Sequence, residues 1–151
     1  MAVAAPAYGA GTHVVAVSAS VLSVCAVIDA ASTLDFGTLN PATGGTVNAV
    51  WSGGNFRCTA GTTFTVTSDD GLWESASGGA NNRMRLLTGL GVGCATAAEC
   101  IRYTLTKVST GTGSGLGTNI SFAVTGSTGI SDYQNATLGI YSDTVTLTVS
   151  P

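Results

Sequence analysis

The feature that most constrains this chain is an uncharged, alternating stretch near its N-terminus, from Thr12 to Val24. No Lys, Arg, Asp or Glu occurs between Met1 and Ile28. Successive side chains of a strand point to opposite faces, so the stretch predicts a long strand with one apolar face of odd-numbered residues. That face consists of Val15, Val17, Ala19 and Val21. An uncovered apolar strand at a chain end favours aggregation unless another element covers it. Such a strand could complete a sheet of its own domain or a sheet of a neighbouring chain.

Alternation also governs the rest of the chain, and no segment of eleven or more residues shows a helical period. The clearest alternation is C-terminal, where one face carries Tyr141, Val145, Leu147 and Val149 and the other carries Ser and Thr. Turn residues separate several short pieces of this kind. We therefore predict an all-β fold of about seven short strands, an immunoglobulin-like β-sandwich.

Composition narrows the possible partners. The chain has 151 residues, enough for one domain with a core, and only 9% of them are charged. Its formal charge of −3 provides no basic surface for nucleic acid or anionic lipid. No apolar run reaches the roughly 18 residues that a membrane helix needs. We expect no nucleic-acid partner and no membrane span.

The four cysteines fit no zinc-binding pattern, and an even number favours disulfides. Cys94 and Cys100 flank five residues and predict a bridge that closes a local loop. That pairing leaves Cys25 with Cys58, although four cysteines allow three connectivities. Two disulfides would indicate an oxidising compartment, either a periplasm or the cell exterior.

Candidate catalytic and metal-binding residues are few. His13 is the only histidine, and a metal site needs several ligands. Asp69 and Asp70 are adjacent in a turn-forming segment, which favours turn chemistry over an acid–base pair. Trp51 and Trp73 could bind a sugar, but aromatic packing explains them better. We therefore expect no enzymatic activity, no metal and no cofactor.

Four pieces of the sequence match a known pattern. They are the alternating strand that leads into Cys25, the piece Leu34–Gly37, the piece Cys58–Thr62, and the ending Gly139–Val149 with its alternating Tyr, Asp and Val. Together they resemble the spore coat protein U family, which includes subunits of the archaic chaperone–usher pili of Gram-negative bacteria. The resemblance spans most of the chain, and the ending is its most specific part.

The resemblance implies a sandwich that lacks one edge strand and therefore carries an apolar groove. A periplasmic chaperone fills this groove first, and the N-terminal strand of the next subunit replaces it at an outer-membrane usher. By this resemblance, residues 1–24 form a leader and donor strand, and residues 25–151 form the pilin domain. The implied donor residues are Val15, Val17, Ala19 and Val21. The implied acceptor-groove strand carries Tyr141, Val145, Leu147 and Val149.

These observations favour a structural shaft subunit that polymerises by donor-strand exchange into a surface pilus for adhesion or biofilm formation. One alternative is a secreted coat protein of the same fold that forms a layer. Another is a carbohydrate-binding β-sandwich with Trp51 or Trp73 at its site. Chaperone and usher genes beside this gene would favour the first hypothesis, and a glycan screen would test the last.

Overall fold

The computed structural model describes residues 9–73, 82–88, 94 and 98–151. Its strands are short and its one described helix is a single turn. In chain order the elements are β1 (Cys25–Val27), β2 (Leu34–Asp35), β3 (Val47–Asn48), β4 (Val50–Trp51), β5 (Asn55–Cys58), β6 (Thr63–Ser68), β7 (Asn82–Leu86), β8 (Cys100–Thr106), β9 (Thr110–Thr112), β10 (Ile120–Ser121), β11 (Thr125–Thr128), α1 (Ile130–Tyr133), β12 (Tyr141–Ser142) and β13 (Leu147–Ser150). The predicted all-β, sandwich-like fold is confirmed.

The strands of the described residues form four antiparallel sheets. The largest has the order β12-β7-β8-β11-β3, and two three-stranded sheets have the orders β1-β5-β10 and β13-β6-β9. Strands β2 and β4 form a small ribbon. In the ladders of the described residues, β13 pairs with β6 alone and β1 pairs with β5 alone. Each of these two strands therefore has one edge without a ladder.

A cluster of three phenylalanines organises the core. The ring centroid of Phe56 lies 4.9 Å from that of Phe64 and 4.8 Å from that of Phe122. Cys58, Val66 and Val124 complete the cluster, and its members are at most 6% exposed. Phe64 and Val66 alternate with exposed threonines along β6, as a strand with one buried face requires.

Two stretches of alternating sequence are interrupted. The chain turns at Ala123, whose φ of 50° lies in the left-handed region, so β10 and β11 are separate although Phe122 and Val124 are both buried. The C-terminal alternation is divided between β12 and β13, because hydrogen bonds to carboxylates hold the backbone between them. Thr144 donates its N–H to its neighbour Asp143, and Thr146 donates its N–H to Asp69.

The strand predicted from Thr12 to Val24 is not formed. Residues 9–24 have no regular secondary structure, and the first strand begins at Cys25. A strand exists only through ladder hydrogen bonds, and no described residue provides a ladder for this stretch. The first eight residues of the predicted leader lie outside the described residues.

A groove beside the C-terminal strands

A groove of about 550 Å³ runs along the C-terminal part of the chain. One wall is the segment that follows β1, and the opposite wall is residues 141–147. The floor consists of large side chains, namely Phe36, Trp51, Met84, Tyr103, Phe122 and Val124. Leu34 and Leu147 contribute from the two walls and are only half-buried, although both pack against the core cluster. The groove therefore exposes apolar surface that an additional element would bury.

The groove closes at one end. Strands β1 and β13 contact each other there, whereas the walls beyond Val27 and before Leu147 stand apart with the groove between them. The chain enters β1 at Cys25, and the lining of the groove begins at Val27, at the other end of that strand. None of the described residues before Val27 lines the groove.

A carboxylate network lies inside the groove. Asp143 accepts a hydrogen bond of 2.7 Å from the Tyr103 hydroxyl through Oδ2, and one of 2.8 Å from the Leu72 N–H through Oδ1. Burial and the adjacent Asp143 carboxylate together raise the pKa of Tyr103 above its usual value. The network fixes Leu72 to the groove wall and places a polar group at the floor of the groove.

A second tyrosine anchors the same wall. The Tyr141 hydroxyl donates toward the carbonyls of Thr137 and Ala98, at 2.6 and 3.0 Å. Burial and the negative charge of Glu99 raise its pKa. The start of the wall is therefore held both by this hydroxyl and by the ladder of β12 with β7, and among the described residues β12 has no ladder on its other edge.

The predicted donor residues lie outside the groove. Val15, Val17 and Val21 are 70%, 90% and 83% exposed, and Ala19 is exposed as well. Val14, on the opposite face of the predicted strand, is 87% exposed, so neither face of the segment is covered by this chain. The structure does not bring the donor and acceptor residues of one chain together.

The predicted acceptor residues divide into two groups. Tyr141, Val145 and Leu147 line the groove. Val149 packs against the core cluster beside β6 and is not part of the groove lining. The predicted set therefore belongs to one wall, with its last member beyond the closed end.

Both predicted disulfides are present, Cys25 with Cys58 and Cys94 with Cys100. The first joins β1 to β5 at the point where the N-terminal segment begins. The second closes the loop before β8. Two such bridges are typical of proteins that fold in an oxidising compartment.

The remaining candidate residues, Asp69, Trp51 and Trp73, make hydrogen bonds or ring contacts within the domain. The Asp69 carboxylate accepts hydrogen bonds from the N–H groups of Gly71 and Thr146, which is the turn chemistry predicted for it. Partial burial acts to raise the pKa of Asp69, but these hydrogen bonds outweigh it and lower the pKa. Trp51 lines the groove and donates to Ser32, whereas the ring of Trp73 lies 4.8 Å from the Arg85 guanidinium carbon.

His13 is exposed, and the described part of the chain contains no group of three potential metal ligands. Within the same residues, no helix has the length and apolar character needed to cross a membrane. Neither finding adds a site to the groove.

Sequence reasoning missed half of the groove. The wall at residues 29–34 is mostly small or polar and has no alternation, so nothing in its sequence marks it as a groove wall. The sequence pattern includes Asp143 in the C-terminal ending but does not indicate its hydrogen bonds in the groove. A lone acidic residue within an alternating apolar run is the signal that could have identified its hydrogen-bonding role.

Comparison with known proteins agrees with this architecture. The model of the Spore Coat Protein U domain matches residues 11–148, which include the N-terminal segment, both disulfides and the groove. A search of curated proteins found no match. Because the domain match covers nearly the whole sequence, the chain belongs to the Spore Coat Protein U domain family.

Proposed function

We propose that this protein is a structural subunit of a surface fibre, in which the N-terminal segment of one subunit fills the groove of the next. The single observation that carries the proposal is the coexistence of an unfilled apolar groove and an uncovered apolar segment in one chain. Strand addition of this kind takes affinity from backbone hydrogen bonds and specificity from alternate side chains. The role is structural and not catalytic.

The dimensions of the two parts agree. The segment Val15–Val21 and the wall at residues 141–147 are both seven residues long. Each would span about 23 Å when extended at roughly 3.3 Å per residue. Three valines and one alanine on the inward face would contribute about 5–10 kcal/mol through apolar burial, before the entropy of ordering the segment is subtracted.

The closed end of the groove sets the direction of insertion. A segment from a neighbouring subunit has to enter at the open end, with its root outside the groove. Val21 then lies nearest the opening and Val15 lies deepest, so the segment runs antiparallel to the C-terminal wall. Antiparallel pairing allows the segment to form a regular ladder with that free edge.

Assembly in this way needs a protein that covers the groove before the next subunit arrives. We propose that a periplasmic chaperone and an outer-membrane usher of a Gram-negative bacterium perform these steps, and that the fibre is a pilus used for adhesion or biofilm formation. The family match, the disulfides and the exposed apolar surface support this route.

The test compares two equivalent substitutions on opposite faces of the segment. Val17→Asp places a carboxylate in the groove, whereas Val14→Asp places it on the face that points to solvent. Both valines are almost fully exposed in the free chain, at 90% and 87%. Val17→Asp removes about 1.5–3 kcal/mol of burial and adds several kcal/mol of desolvation, so donor affinity falls by more than about a thousandfold.

Each full-length variant is produced together with the chaperone and usher, and the amounts of fibre and of soluble chaperone complex are measured. We expect normal chaperone complex for both variants, fibre for Val14→Asp and no fibre for Val17→Asp. Loss of the chaperone complex in Val17→Asp would show that the segment belongs to its own fold. Equal fibre yields from the two variants would also refute the proposal, because the odd-numbered face would then have no role.

A further inference from the structure

Hydrogen bonds hold the root of the N-terminal segment to the domain. The Thr59 hydroxyl donates to the Leu22 carbonyl at 3.0 Å and accepts from the Val24 N–H at 3.2 Å. The Thr59 N–H donates to the Val24 carbonyl at 2.9 Å. One residue upstream of Val24, the Ser23 hydroxyl donates to the Thr62 hydroxyl at 3.0 Å, and Thr62 is only 8% exposed.

The boundary between held and free chain is sharp. Leu22, Ser23 and Val24 each make at least one of these hydrogen bonds, and the disulfide of Cys25 follows immediately. Val21 is 83% exposed, and neither it nor residues 9–20 make a hydrogen bond to another described residue. The last valine of the donor face is therefore the direct neighbour of the first held residue.

We propose that Thr59 and Thr62 are positioning residues that form a rigid joint between successive subunits, an inference that rests on the proposed function. When Val21 occupies the groove of a neighbour, no free residue separates that groove from the held root. The direction in which the segment leaves one domain then fixes the orientation of the next. Flexible linkers would instead allow a range of orientations and lower the effective concentration of the segment at the groove.

The held root also opposes self-insertion. Residues 12–21 could extend about 33 Å at roughly 3.3 Å per residue, so length alone would allow the segment to reach its own groove. The bonds at Leu22 and Val24 fix the root beside Thr59, upstream of Val27, where the lining of the groove begins. Freeing the root removes this directional constraint.

The experiment uses full-length variants that change the joint and leave the groove intact. Thr59→Val replaces the Thr59 hydroxyl with a methyl group. Ser23→Ala removes the hydroxyl that bonds to Thr62 and leaves the rest of the domain unchanged. Thr104→Val is the matched control, because the Thr104 hydroxyl bonds to Ser127 on an exposed sheet face away from the root. A fourth variant inserts two glycines between Val21 and Leu22, which lengthens the joint and preserves the alternation of faces.

Two measurements are made. Hydrogen exchange of the purified chain reports the root directly, and we expect the Val24 amide to exchange about 2- to 10-fold faster in Thr59→Val than in the wild type. Electron micrographs of fibres report the angles between successive subunits. We expect a wider distribution of angles for Thr59→Val, Ser23→Ala and the two-glycine insertion, and the wild-type distribution for Thr104→Val.

The outcomes separate this joint from the proposed function. Unchanged exchange at Val24 in Thr59→Val, or wild-type angles in the two-glycine insertion, would overturn the rigid joint while leaving donor-strand assembly intact. Absence of fibres from the wild type would instead refute the proposed function. If Thr59 only stabilised the domain, Thr59→Val would lower the melting temperature and leave the angles between subunits unchanged. A further variant, Thr59→Ser, keeps the hydroxyl and tests whether that group sets the angles. Restoration of the wild-type angles by Thr59→Ser supports the joint.

Discussion

The hydrogen bond between Tyr103 and Asp143 provides a quantitative test of the groove. Tyr103 is 5% exposed and its hydroxyl lies 2.7 Å from a carboxylate oxygen, so Tyr103→Phe removes a hydrogen bond to a charged group with little change in volume. Such bonds contribute about 1.5–3 kcal/mol. At about 2–4 °C per kcal/mol for a chain of this size, the melting temperature should fall by about 3–12 °C.

The matched control is Tyr141→Phe. Tyr141 lies on the groove wall and loses the same hydroxyl, but its acceptors are the neutral carbonyls of Ala98 and Thr137. Bonds between neutral groups contribute about 0.5–1.5 kcal/mol, so this variant should lose less stability. Denaturant unfolding with the disulfides intact measures both free energies. A cost for Tyr103→Phe no greater than that for Tyr141→Phe would refute the charged network.

The same pair predicts a dependence on pH. The folded state holds the Tyr103 proton more tightly than the unfolded chain, because its pKa is raised above 10.0. This stabilisation is complete below the unfolded pKa and is lost as the pH rises above it. The free energy of unfolding of the wild type should therefore fall above about pH 10, and Tyr103→Phe should flatten that decline. An unaltered slope in the variant would contradict the assignment.

Three further predictions concern the framework around the groove. Ala123→Gly should raise the free energy of unfolding by up to about 1 kcal/mol in denaturant unfolding, because glycine adopts the left-handed φ of 50° without a Cβ clash. The lowered pKa of Asp69 predicts a stabilisation that is present above the unfolded pKa of 3.8 and is lost as the pH falls through the folded value, so Asp69→Asn should flatten the acid side of the stability profile. Replacing both cysteines of the 25–58 bridge by alanine should cost about 3–4 kcal/mol, against about 2 kcal/mol for the 94–100 bridge, since the loop closed is longer; melting of the two double variants compares them.

The sequence predicted those parts of the fold that depend on local alternation. Strand β6 and its buried Phe64 and Val66 were recognisable because a half-buried strand imposes a period of two on its own residues. Both disulfides followed from number and spacing. The break at Ala123 was not predictable, because alanine has no preference for a left-handed conformation and tertiary packing of its two neighbours imposes it.

The groove was predictable on one side only. Its C-terminal wall carries Tyr141, Val145 and Leu147 on one face, and Asp143 is the one break in that alternation. The wall after β1 contains small or polar residues such as Ala30 and Ser32, and no pattern in their sequence marks them as groove residues. The hydrogen bonds of Thr59 were equally hidden, because a threonine after a strand has the same local sequence whether or not its hydroxyl meets another segment.

The groove and the N-terminal segment both expose apolar surface, and in the proposed assembly each is covered by the other part of a neighbouring subunit. Val14, Val17 and Val21 are each more than 80% exposed, and half-buried Leu147 borders an open groove. Either surface alone would favour nonspecific association, since an uncharged strand and an unpaired sheet edge are both templates for β-pairing. In the assembly that we propose, the held root opposes closure within one chain. Ordered pairing between chains then lets each subunit cover the groove of one neighbour and have its own groove covered by another.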